Sequence, residues 1–122
     1  MHPASPLAFA LVMVGGALGS AARYGAGLLA IAWFGTAYPW STLAVNIAGS
    51  AVIGIAAAFG VEGGWRLLLV TGFLGGFTTF SAFSLEAAGL WERSPWLGAS
   101  YVVASVGLGL AAFWVARRLA GG

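Results

Sequence analysis

The 122 residues contain no cysteine. Disulfide frameworks, zinc sites built on thiolates and thiol chemistry are therefore excluded. Histidine is nearly missing as well: the one present, His2, lies in the N-terminal tail. Charge is just as sparse, five arginines and three glutamates making 7% of the chain, where ordinary soluble domains carry roughly a quarter. With no nucleophile–base pair and no cluster of the usual metal-binding side chains, enzyme chemistry is not expected. The pI of about 9.7 rests on an excess of two charges, too small and too scattered for a nucleic-acid footprint.

What is present is apolar: 61% of residues are hydrophobic and the mean hydropathy is +0.97. A soluble fold of this size cannot hide so much apolar surface, so the expected solvent is lipid and the expected architecture is one compact all-α membrane domain. Hydropathy marks four spans, 7–34, 41–59, 67–91 and 96–115. Each reaches the roughly 20 residues needed to cross a bilayer, and the first and third are long enough to tilt or break. The connections GTAYPW, GVEGGWR and ERSP are short, which forces consecutive spans to run antiparallel. In the last of them Ser94 and Pro95 read as an N-cap followed by proline at the first helical position. All six tryptophans (Trp33, Trp40, Trp65, Trp91, Trp96, Trp114) fall at span ends, as an interfacial belt requires. The apolar run from Leu7 is not read as a cleaved signal peptide, because no Lys or Arg precedes it.

Orientation is weakly encoded. Arg66, Arg117 and Arg118 share one side with the N-terminus, while Arg93, joined by Arg23 if that residue lies near the far end of its span, is on the other. So small a bias permits insertion both ways, and two such copies can pair about a two-fold axis lying in the membrane plane. A single orientation set by Arg117 and Arg118 fits the count equally well.

Several positions stand out within the spans. Gly15, Gly19, Arg23 and Gly27 recur every four residues and share one helix face. The glycines read as a close-packing seam; Arg23, a costly intramembrane charge, reads as a dimer-interface or vestibule residue. Asn46 and Ser50, at i and i+4 in the second span, fit either a helix–helix hydrogen bond or donors along a pathway. Tyr101, Ser105 and Gly109 form a stripe in the fourth span, with Ser100 beside it, where hydroxyls serve either packing or anion donation. In the third span, GFLGGFTTFSAFS at 72–84 places Gly72, Gly75 and Gly76 where helix is wanted. Each costs about 1 kcal/mol of helix stability relative to alanine, so a break is predicted there, with its carbonyls suited to a hard cation. Thr78 and Thr79 are expected to restart the helix with a hydroxyl cap. Beyond them Phe80 and Phe83 share a side, as do Ser81 and Ser84. Phenyl edges carry positive quadrupole, so the pair fits either aromatic packing or, with hydroxyls and the asparagine amide, a small-anion site free of fixed positive charge.

Taken together, GGALGSAARY (15–24), STLAVNIAGS (41–50), GFLGGFTTFSAFS (72–84) and four spans in about 120 residues resemble the Fluc/CrcB family of fluoride channels. The likeness covers essentially the whole chain. It implies a dual-topology antiparallel homodimer in the plasma (bacterial inner) membrane, conducting fluoride passively out of the cell. It also implies a structural Na⁺ at the dimer centre, held by the backbone carbonyls of Gly75 and Thr78 from both copies. By motif position, Asn46, Phe80, Phe83, Tyr101 and Ser105 would line the fluoride path, with Arg23, Ser81, Ser84 and Glu86 near the pathway or its vestibule. Two departures from the family pattern, Ala82 and Gly109, leave the polar track thinner than usual.

Two other classes remain open at the level of sequence. A small multidrug exporter is also a four-span dual-topology dimer, but it needs a membrane-embedded carboxylate, typically in the first span; here the first span has none and Glu86 is the only carboxylate within any span. A non-transporting scaffold would use every glycine and serine for packing.

Overall fold

The computed structural model describes residues 2–122. The described residues are almost entirely helical, and four helices are long and apolar enough to cross a membrane: Pro6–Phe34, Trp40–Phe59, Gly63–Arg93 and Pro95–Leu119. The protein is thus a multi-pass membrane protein. Local chemistry sets the ends. Ser5 caps the first helix, its hydroxyl accepting the Ala8 N–H at 3.1 Å, with Pro6 in the first turn. Gly60 closes the second helix in the left-handed conformation (φ 65°), which glycine adopts without a Cβ penalty. Ser94 stands in extended conformation immediately before Pro95, but its hydroxyl caps nothing, and the helix start rests on the Ser94 carbonyl alone.

The third span is two pieces. The first runs 63–77 and is wound wide from Arg66 to Leu74 in π-helical geometry. The second is the α-helix Phe80–Arg93. Between them Thr78 (φ −88°, ψ 156°) and Thr79 (φ −151°, ψ 123°) are both extended. This corrects the expectation that the glycines break the helix: Gly72, Gly75 and Gly76 all stay helical. Their use is close approach. A Cβ on Gly76 would stand 2.5 Å from the Gly16 carbonyl oxygen and one on Gly72 2.9 Å from that of Val12. The first helix offers a matching seam, since a Cβ on Gly19 would strike the Phe73 carbonyl. Gly15 and Gly19 are therefore buried, whereas Gly27 has only Ser41 Oγ within reach, at 3.8 Å.

The break lets one span serve two neighbours. Its first piece packs along the first helix, and its second piece packs on the fourth. The second and fourth helices form another extensive pair. They run parallel, with Gly54 against the Phe113 backbone and Gly109 facing Ser50. Tyr101, on the fourth helix, is the one large side chain with no exposure at all among the described residues.

Candidate functional site

The break is where polar groups converge. Two extended residues leave backbone N–H and C=O groups outside any helix, at a depth where water does not satisfy them. Asn46 answers both sides of Thr79. Its Nδ2 donates to the Thr79 carbonyl at 3.0 Å, and its Oδ1 accepts the Thr79 N–H at 2.9 Å. The pairing also settles which way the amide points, because the Thr79 N–H requires an oxygen. The Thr79 hydroxyl in turn caps the second piece, accepting the Ala82 N–H at 3.1 Å, as the threonine restart predicts. The Thr78 hydroxyl folds back to the Leu74 carbonyl at 2.9 Å. Thr78 fits because Gly49 faces it: a Cβ there would overlap Thr78 Cγ2.

On the other side of the break, Arg23 Nε donates to the Gly76 carbonyl at 3.1 Å. The intramembrane guanidinium therefore stabilises the last turn of the first piece, where an arginine suits the negative end of a helix. The carbonyls of Gly75, Phe77 and Thr78 take no backbone N–H among the described residues. Carbonyl oxygens without donors are what a hard cation such as Na⁺ selects. No grouping of three or more His, Cys, Asp or Glu occurs among the described residues. The Gly75 and Thr78 carbonyls fit that ion by chemistry.

A cavity of about 420 Å³ opens beside the break. Asn46, Ser50, Thr78, Phe80, Phe83 and Ser105 are among the residues lining it. The Phe80 and Phe83 rings are 5.6 Å apart between centroids and tilted by 51°. Phe83 continues to Tyr101 at 5.3 Å, and Tyr101 to Tyr38 of the first loop at 5.5 Å, edge to face. Ser105 Oγ and Tyr101 Oη are both buried without a hydrogen-bond partner. Tyr101 does not line the cavity, but Ser105 does. Buried polar atoms are nearly always bonded, so the orphaned Ser105 hydroxyl marks a place for a hydrogen-bond acceptor. Phe80 is 79% exposed in the single chain, so the cavity is open on that flank.

The remaining candidates lie elsewhere. Ser84 donates to the Phe80 carbonyl at 2.9 Å, and Ser81 is 3.3 Å from the Thr79 hydroxyl; neither lines the cavity. Glu86 borders a second cavity of about 390 Å³, shared with Tyr38 and Arg93. There its carboxyl accepts the Thr42 hydroxyl at 2.6 Å. Arg93 Nη1 donates to the Ala37 carbonyl at 2.7 Å and ties the first loop to the end of the third span. Thr42 is absent from the sequence expectations, although a signal exists: it precedes Asn46 by four residues and shares its helix face with Asn46 and Ser50.

Comparison with known proteins identifies the family. Residues 10–117 match the model of the family described as CrcB-like protein, Camphor Resistance (CrcB). A relative from Rhizobium leguminosarum bv. trifolii (strain WSM2304), named Fluoride-specific ion channel FluC, is 56% identical over 108 residues, covering 84% of this chain and 86% of the relative. A protein of the same name from Rhizobium etli (strain CFN 42) is 55% identical with the same coverage. The one from Granulibacter bethesdensis is 44% identical over 119 residues, 93% of this chain and 94% of the relative. With a match that spans nearly the whole chain and relatives this similar, the chain belongs to the CrcB family.

Proposed function

We propose that the chain is a fluoride-selective passive ion channel that lets cytoplasmic fluoride leave across the plasma membrane. The observation that carries this reading is the cavity itself: a pair of phenylalanine rings, an asparagine amide and an orphaned serine hydroxyl line one space at a helix break. Hydroxyl and amide N–H groups donate to an anion, and ring edges add weak positive potential. None of the residues lining the space is charged. An anion there is held by partial charges only, which allows it to leave again. Asn46 has two amide hydrogens, of which Thr79 uses one, so the other is available to the cavity.

The flank exposed at Phe80 is covered, in this reading, by a second copy inserted the other way up. Four helices enclose little space, and the exposed ring next to the break gives the copies a place to meet. The Gly75 and Thr78 carbonyls of both copies would then hold Na⁺ between them. Bound there, the ion would supply a fixed positive charge that neutralises the gathered carbonyls and locks the copies together. The exporter alternative finds no support, since the first span holds no carboxylate and Glu86 is engaged with Thr42 outside the cavity.

The test is passive efflux of fluoride from liposomes carrying the purified protein, with chloride as control. Fast fluoride efflux without chloride efflux is expected, and Phe80→Ala at equal reconstitution is expected to slow it at least about tenfold, the loss of about 1.4 kcal/mol at the barrier. No fluoride efflux from an intact, reconstituted protein would reject the reading.

A further inference from the structure

The second and fourth helices hold a fixed register. A Cβ on Gly109 would stand 3.5 Å from Ser50 Oγ, and one on Gly54 would meet the Phe113 backbone. Both pairs are 59 positions apart in sequence, so these parallel helices stay in step from one turn to the next. Continuing the same register by one and two turns places Asn46 level with Ser105 and Thr42 level with Tyr101. The polar side chains thus form layers about 6 Å apart, four residues each at about 1.5 Å rise per residue. In the Thr42 and Asn46 layers both helices contribute a polar group. In the Ser50 layer only the second helix does, because Gly109 has no side chain. In the next layer Gly54 receives the backbone of Phe113 and no polar group remains.

We infer that Ser50 is a donor of the anion path and stands in for the side chain that the fourth helix lacks at Gly109. The inference rests on the channel reading above and adds a residue to it. Ser50 and Ser105 line the same cavity with Asn46. Two helical serines return their hydroxyl to their own helix, Ser84 to the Phe80 carbonyl and Ser100 to the Leu97 carbonyl, each at 2.9 Å. Ser50 and Ser105 form no such bond among the described residues, which leaves both hydroxyls free to turn into the cavity. Past Ser105 the cavity wall is Ile53, Val70 and Val106. An anion moving in that direction finds no hydroxyl except that of Ser50. A weakly polarised wall strips water from a small anion without replacing it, and a hydroxyl in that layer lowers the barrier. The ligand class is a small, hard, hydrogen-bond-accepting anion.

The geometry also supplies the test, because a hydroxyl moved from 50 to 109 stays in the same layer. A Cβ at 109 meets Ser50 Oγ at ordinary van der Waals distance, so a small side chain fits. Fluoride efflux would be measured from liposomes for the natural protein, Ser50→Ala, Ser50→Ala with Gly109→Ser, and Ser50→Ala with Gly109→Ala. Ser50→Ala is expected to slow efflux at least about tenfold, equivalent to about 1.4 kcal/mol. Adding Gly109→Ser is expected to restore it to within about threefold of the natural rate, while Gly109→Ala leaves it slow. Ser50→Ala at the natural rate, or equal rescue by alanine and serine, overturns the inference. Should Ser50→Ala fail to assemble, Ser50→Cys keeps the shape with a much weaker donor and is read the same way. If the natural protein itself moves no fluoride, the channel reading has failed and not this addition to it.

Discussion

Replacing Asn46 by leucine removes the amide while keeping the same branching and number of side-chain heavy atoms. In the structure it deletes two hydrogen bonds of 2.9 and 3.0 Å and leaves both backbone groups of Thr79 without a partner. Side-chain hydrogen bonds inside membrane proteins average only about 0.6 kcal/mol, because the freed groups usually find other partners. A buried group with no alternative costs about 1–3 kcal/mol. Here the alternatives are poor, since Thr79 is extended and its hydroxyl is already occupied by the Ala82 N–H. The expected destabilisation for Asn46→Leu is therefore about 2–4 kcal/mol, above the membrane average for two bonds. Asn46→Asp keeps the acceptor for the Thr79 N–H and loses the donor. It separates the two bonds and is expected to abolish anion passage by placing a carboxylate in the cavity. Unfolding in mixed micelles with rising dodecyl sulfate, followed by tryptophan fluorescence, measures the stability change. A value for Asn46→Leu within about 0.5 kcal/mol of the natural protein, the size of an ordinary surface substitution, would refute the view that Asn46 holds the break.

The glycine seam makes a prediction of opposite sign at two sites on the same helix. Gly19→Ala is expected to destabilise by about 1–3 kcal/mol, because its Cβ has no room against the Phe73 backbone. Gly25→Ala, with nothing within 4 Å, is expected to be neutral or to stabilise by up to about 1 kcal/mol through helix propensity; the same unfolding assay reads both, and equal effects would refute the seam. Replacing Na⁺ by a large organic cation on both faces of the liposome is expected to stop fluoride efflux and weaken pairing of the copies, seen as loss of dimer in detergent. Unchanged efflux and pairing would remove the cation from the proposal.

Much of this molecule is written locally. Four apolar runs bounded by tryptophan and by Gly60 or Ser94–Pro95 identify the spans, because hydropathy and capping act within a few residues. The threonine restart is local too, and the Thr79 hydroxyl caps the next helix as its neighbours imply. The position of the break is not local. Glycine propensity points to residues 72–76, yet neighbours override it: the first helix presses on Gly72 and Gly76 while they stay helical, and Asn46 from another span holds Thr79 extended. Thr42 was missed for a related reason. A threonine in a membrane helix is ordinary, and only the carboxyl of Glu86 at 2.6 Å, 44 positions away, distinguishes it. Likewise, nothing in one sequence discloses that Ser50 and Gly109 face each other.

The groups that satisfy the break have an order in time as well as in space. A membrane chain emerges from its N-terminus, and a segment carrying bare N–H and C=O groups is the hardest to admit to lipid. Both side chains that reach across to it, Arg23 on the Gly76 carbonyl and Asn46 on Thr79, belong to spans made earlier. Thr78 and Thr79 are synthesised after both of their partners. The fourth span, which brings Tyr101 and Ser105, is not needed for that step and arrives last. The chain thus meets its most awkward polar segment with partners already made, and the fourth helix adds Ser105 to the cavity wall only afterwards.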